Sequence, residues 1–136
     1  KNVIFLTTDV HANFIGDVRL RTFGKGGPTR PLYKEVTTGP IAATTHRQQL
    51  IQGTDRPRAA DLVRDLFYTA KVDPKGQSGG LGITCANLNT YSYGQVEVTN
   101  ERLKVTLKDL NGKRVLSEGG ATVPAGKPCP VVVLKK

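Results

Sequence analysis

The sequence predicts a mixed α/β (α+β) chain whose second half is dominated by strands. Three observations carry that expectation. Val3-Ile4-Phe5-Leu6 is an apolar run closed by Thr7 and Thr8, the pattern of a short strand buried on both faces. Ala59 to Tyr68 sets Leu62, Val63, Leu66 and Phe67 on one helical stripe, with Arg58, Asp61, Arg64 and Asp65 opposite. From Ile83 onward the texture turns to alternating polar and apolar residues, so the strands after residue 83 are expected to be mostly antiparallel.

Composition bounds the answer. At 136 residues the chain is one domain or part of one, and 38% hydrophobic content with 15 Gly and 8 Pro implies a modest core and many loops. No apolar run approaches the length of a transmembrane segment. The net charge of +9 suits anionic partners such as phosphorylated molecules or acidic surfaces. Arg19, Arg21, Lys25, Arg30 and Lys34 make the densest basic region, followed by Arg47, Arg56, Arg58 and Arg64. Basic and aromatic residues are not interleaved as a base-stacking surface requires, so specific nucleic-acid binding is not expected.

If the opening strand stops near Thr8, Asp9 and His11 sit at its carboxyl end, where open α/β sheets place their ligands. An Asp-x-His pair can bring a carboxylate oxygen and an imidazole nitrogen to one point, as a metal site requires. The plainer alternative is a turn residue followed by a surface histidine. Asn13 is positioned either to hydrogen-bond a phosphate oxygen or to serve as a turn or helix-start residue, and Asp17 either to support His11 or to do the same.

Thr22 to Pro28 reads as a loop and lacks the spacing of a phosphate-binding P-loop. Tyr33 to Thr38 is a second expected strand; laid beside the first, it would bring Thr37 and Thr38 near Asp9 and His11. His46 is either a second imidazole within reach of the first or a surface residue opening a short helix. Gly53 to Pro57 reads as a turn, and Asp73 to Gly82 as a loop or linker.

Tyr91 to Val98 and Leu103 to Lys108 form an expected hairpin across Thr99-Asn100-Glu101-Arg102. Asn87, Asn89, Tyr91 and Tyr93 either face a ligand or act as cross-strand pairs and polar edges. Asn111-Gly112 signals a further hairpin with Lys113 to Leu116 as its return strand. Val131 to Leu134, bounded by Pro128 and Pro130, is expected as an edge strand. Cys85 and Cys129 fit no Cys-x-x-Cys pattern. They are either two buried thiols or one disulfide closing a loop of roughly 45 residues, a bond contributing about 3–4 kcal/mol.

Asn2-Val3-Ile4-Phe5-Leu6-Thr7-Thr8-Asp9-Val10-His11 resembles the late metal-binding motif of the alkaline phosphatase D-like branch of the calcineurin-like metallophosphoesterases, with Thr8 where Gly is usual. Glu35 to Ile41 and Asn89 to Leu110 are similar to the family's following strand and C-terminal hairpin. The resemblance implies a β-sandwich with flanking helices, of which residues 1–136 are the C-terminal portion of a single domain. It implies two metal ions, drawn from Fe, Zn, Mn or Ca, with His11 a direct ligand and Asp9 a ligand or the holder of one. It implies a phosphate-ester substrate and an exported enzyme, extracellular or periplasmic, in line with the disulfide alternative. The family's earlier ligand motifs do not occur after position 11, so an N-terminal remainder of the same enzyme is expected as partner. The contrasting expectation is a non-catalytic, β-rich basic module that contacts polyanions.

Overall fold

The computed structural model describes residues 3–18, 33–56, 58–63, 83–119 and 123–136. The expected loops at 22–28 and 73–82, and most of the basic cluster between Arg19 and Arg30, lie outside the described residues.

Two sheets carry the fold. The first contains β1 (Ile4–Thr7), β2 (Asn13–Val18), β3 (Tyr33–Thr37) and β4 (Ile83–Asn87) in the order β1-β3-β2-β4. β1 and β3 are parallel, with Thr7 opposite Thr37, while β2 pairs antiparallel with β3 and β4. The second sheet is the antiparallel meander β5 (Ser92–Val98), β6 (Arg102–Asp109) and β7 (Val132–Lys135). The mixed-then-antiparallel order and the expected hairpin are therefore present, and β7 is an edge strand.

Period-two alternation divides the core. Ile15, Val36 and Cys85 meet Val105, Leu107, Val115, Cys129 and Val132 between the sheets. Phe14, Ala12, Ala86 and Leu88 form a second cluster. The Cys85–Cys129 disulfide is formed and ties β4 to the segment that enters β7, so it joins the two sheets.

Several expectations change. β1 is not buried on both faces. It is the outer strand of its sheet, Phe5 is 47% and Leu6 50% exposed, and only Ile4 packs against the core between the sheets. A continuous apolar run specifies a strand that can be covered twice; its neighbours decide whether it is. Ala12 to Val18 contains a strand rather than a turn or helix start, because β2 is claimed by ladders on both sides. Asp17 pairs with Lys34 across the β2–β3 ladder, away from His11.

Gly53 falls inside α1 (His46–Thr54), which ends at Asp55 in the left-handed conformation. The second helix, α2, is described over Ala59–Val63; its buried contact is Ala60, whereas Leu62 is exposed. Arg47 of α1 and Asp61 of α2 form an ion pair that helps hold the two together. Lys113 to Leu116 returns from the Asn111-Gly112 turn, where Gly112 has φ +75°, but makes isolated bridges rather than a strand.

Among the described residues no helix is long and apolar enough to cross a membrane.

Candidate functional site

The parallel pair β1–β3 brings two strand ends together. The Thr38 N–H donates to the Thr7 carbonyl at 3.0 Å, and the Thr7 and Thr37 hydroxyls lie 2.8 Å apart. Thr37 and Thr38 are thus adjacent to the residues that leave β1, as their place in the sequence suggests. Those leaving residues are bent sharply: Asp9 has φ 80° and His11 φ 57°. Left-handed backbone costs a non-glycine residue on the order of 1 kcal/mol, and Asp and His tolerate it better than most. Two such residues fall within one short turn at the carboxyl end of β1.

His11 is oriented by the start of α1. Its Nδ1 lies 2.6 Å from the Thr44 carbonyl oxygen. A carbonyl can only accept, so Nδ1 carries the proton and Nε2 presents its lone pair. This is the arrangement in which a backbone carbonyl fixes the tautomer of a metal-binding imidazole. Gln49, one turn into α1, places its side-chain amide nitrogen 2.8 Å from the same Nδ1; an amide nitrogen only donates, so with the Nδ1 proton given to Thr44 the carboxamide must turn to present Oε1.

Thr45 caps α1 through a reciprocal box with Gln48, and the His46 N–H donates to the His11 carbonyl at 2.7 Å. His46 therefore opens the helix, as one of the two sequence readings has it, and also sits against His11. Burial pushes its pKa below the ordinary histidine value, and the neighbouring His11 charge lowers it further.

Asn13 stands behind the site. It is fully buried, with its Nδ2 donating to the Thr90 carbonyl at 3.0 Å and its Oδ1 accepting from the Gly39 N–H at 3.1 Å and from the Ser92 hydroxyl. Its amide is engaged with the protein, and it fixes the loop that follows β3 rather than facing a ligand. A Cβ on Gly39 would come within 2.7 Å of that same Nδ2, which explains the glycine. Asn87 is likewise occupied, accepting the N–H groups of Asn89 and Thr90 and donating to the Leu116 carbonyl.

Asp9, His11, Thr8 and Thr38 line one side of a cavity of about 620 Å³, whose other walls include Leu6, Ile41 and Tyr93. Tyr93 thus reaches the cavity, whereas the Tyr91 hydroxyl turns to Gln48. No family model matches the chain, and no curated protein or solved structure matches it.

Asp9 and His11 are ligand types that Fe, Zn and Mn accept, with the carboxylate also suited to Ca. Among the described residues no group of three or more His, Cys, Asp and Glu gathers. Thr44 and Gln49 are the residues that sequence reasoning missed. The Thr45-x-x-Gln48 capping signature was the available signal, since it fixes where the helix starts and hence where Gln49 falls.

Proposed function

We propose that this chain supplies the last metal-binding motif of a metal-dependent phosphoesterase of the alkaline phosphatase D-like, calcineurin-like kind. The observation that carries the reading is the tautomer lock on His11: a strand-end imidazole held through Nδ1–H by a backbone carbonyl, beside a carboxylate on an equally bent backbone.

In this reading His11 Nε2 and an Asp9 oxygen hold metal, and the remaining ligands come from the N-terminal remainder of the enzyme. When bound, a metal pair supplies charge neutralisation for a phosphate ester and acidifies a water into the nucleophile. The chain's own work is positional. Thr44 and Gln49 orient the imidazole, and Asn13 with Gly39 hold the cavity wall against which the ester would sit. Twenty basic residues against eleven acidic ones favour the approach of a phosphate-bearing substrate. The Cys85–Cys129 bond supports an extracellular or periplasmic location.

The test is metal content and hydrolysis of a chromogenic phosphate ester by His11→Ala and wild type, each together with the N-terminal remainder. Loss of both metal and hydrolysis is expected. If His11→Ala leaves both unchanged, the proposed role of this site is wrong. The 136-residue chain alone is expected to hold no metal pair tightly and to hydrolyse nothing; robust turnover by the pure chain would overturn that.

A further inference from the structure

The turn that follows β6 is closed on Asp109. The Asp109 N–H donates to the Lys113 carbonyl at 2.8 Å, and the Gly112 N–H donates to the Asp109 carbonyl at 3.0 Å. The Asp109 carboxylate adds two more bonds: its Oδ1 accepts the N–H groups of Asn111 and Lys113, each at 2.9 Å. Leu110, Asn111, Gly112, Lys113 and Arg114 are all exposed. Backbone hydrogen bonds that face water over a run of exposed residues mark a segment that opens locally at small cost.

This tip carries a reaction of its own. The carboxamide carbon of an asparagine lies within reach of the next residue's main-chain nitrogen, and attack of that nitrogen closes a five-membered ring. Of the six asparagines in the chain, Asn111 alone precedes a glycine. Gly112 has no Cβ to crowd the attacking nitrogen, and a Cβ built there would lie 3.9 Å from the Tyr93 hydroxyl, an ordinary contact in an uncrowded tip. Asn13 and Asn87 are buried with their amides engaged. Asn100 is exposed, but it precedes Glu101, whose Cβ crowds the nitrogen.

We propose, independently of the phosphoesterase reading, that Asn111-Gly112 is a site of spontaneous deamidation and that Asp109 is the brake that sets its rate. While the tip is closed, the Asp109 carbonyl holds the Gly112 proton and the Oδ1 bonds keep it closed. When the tip opens, the Gly112 nitrogen gives its proton to solvent and attacks Asn111 Cγ. The new N–C bond forms, the Cγ–Nδ2 bond breaks, ammonia leaves with a proton returned by solvent, and a succinimide remains. Water then hydrolyses one of the two ring carbonyls. One cleavage restores the ordinary backbone with an aspartate at 111; the other leaves an isoaspartate, with the backbone routed through the former side chain. Nothing is oxidised or reduced, and either product carries one more negative charge than the amide. The isoaspartate lengthens the backbone between Asp109 and Lys113 by one methylene, so the four closing bonds cannot all be kept. The disturbance has a path inward, because the return segment bonds Val115 to Leu107 and to Cys129.

The test ages the 136-residue chain in mildly alkaline buffer and follows it by intact mass and by tandem mass spectrometry of the tip peptide. A gain of one mass unit is expected on the peptide holding Asn111, as two separable isomers, with Asn100 unchanged. Asn111→Gln, which would have to close a larger ring, should abolish the gain. Asp109→Ala should speed it about fivefold or more while the circular dichroism spectrum stays unchanged. Asp109→Ser, which keeps an acceptor oxygen, should fall between that variant and wild type. No gain at Asn111 over a period that fully converts a synthetic peptide of residues 106–116 overturns the proposal, since the fold would then protect the site. Equal gain at Asn100 overturns it by making exposure alone the cause, and an Asp109→Ala rate no faster than wild type overturns the brake.

Discussion

The His46 N–H donates to the main-chain carbonyl of His11 at 2.7 Å, which fastens the first turn of α1 to the loop leaving β1. The bond places two imidazoles in one neighbourhood, and only one of them, His11, lines the cavity.

His46 gives the metal-free chain a pH dependence of definite sign. Its pKa is lowered, first by burial and then by the His11 charge. Below about pH 6.5 the unfolded chain takes up a proton at this position more readily than the folded chain does. The contribution to stability is therefore complete above that pH and is lost as pH falls toward the folded-state value. Thermal melts between about pH 8 and pH 5 should show wild type losing more stability on acidification than His46→Gln. Identical pH slopes would contradict this. Because burial is the larger cause, His11→Ala should raise the His46 titration midpoint by NMR only part of the way to that of a free imidazole.

Asn13 and Gly39 should behave as a coupled pair. Asn13→Ala strands the Thr90 carbonyl and removes one acceptor from Gly39 and Ser92, a loss of about 1–3 kcal/mol. Gly39→Ala drives a methyl group to within 2.9 Å of Ser92 Oγ and the Thr90 carbonyl, an overpacking cost of about 1–3 kcal/mol. The Cβ would enter space that the Asn13 amide fills, so the double variant should be more stable than the sum of the two losses by about 0.5 kcal/mol or more. Urea denaturation of the four proteins measures the cycle; strict additivity would show that the two residues do not share the contact.

The disulfide should matter for global stability because of where it sits. Its half-cystines are 44 positions apart and join β4 to the segment that enters β7, so cutting it releases a long closed loop in the unfolded ensemble and raises that ensemble's entropy. By loop-closure entropy the loss is about 4 kcal/mol. Reducing agent and the double variant Cys85→Ala, Cys129→Ala should each lower the urea midpoint. The variant should fall slightly further, since both sulfurs are buried among Ile15, Val36 and Val132. A midpoint indifferent to reductant would contradict the loss.

What could be read from the sequence is what depends on nearby residues. The alternation of Tyr91 to Lys108 encodes the β5–β6 ladder, and Asn111-Gly112 encodes the turn that follows β6. The apolar run ending in Asp9-Val10-His11 encodes a strand with polar groups at its carboxyl end. What depends on distant residues was not legible. Whether Phe5 and Leu6 are covered is decided by which strands flank β1, and Leu62 by what lies over α2. Thr44 approaches His11 across 33 positions of chain, and Asn13 approaches Ser92 across 79, so neither pairing leaves a local periodic signal. Asn13 was noticed for its polarity beside the site. Its role in holding Gly39 follows only from a fold that buries it.

Asp9 offers a way to separate backbone strain from ligand chemistry. Its φ of 80° is tolerated by Asp and Asn but costs an alanine on the order of 1 kcal/mol more. In the metal-free chain Asp9→Asn should therefore leave the melting temperature nearly unchanged, while Asp9→Ala lowers it. Under the proposed phosphoesterase reading, in which an N-terminal remainder completes the site, both variants would remove a carboxylate charge from the proposed metal site. Metal retention should then fall for both, and by similar amounts, whatever their difference in stability. If Asp9→Asn retains metal like wild type and only Asp9→Ala loses it, the residue serves the turn and not the ion.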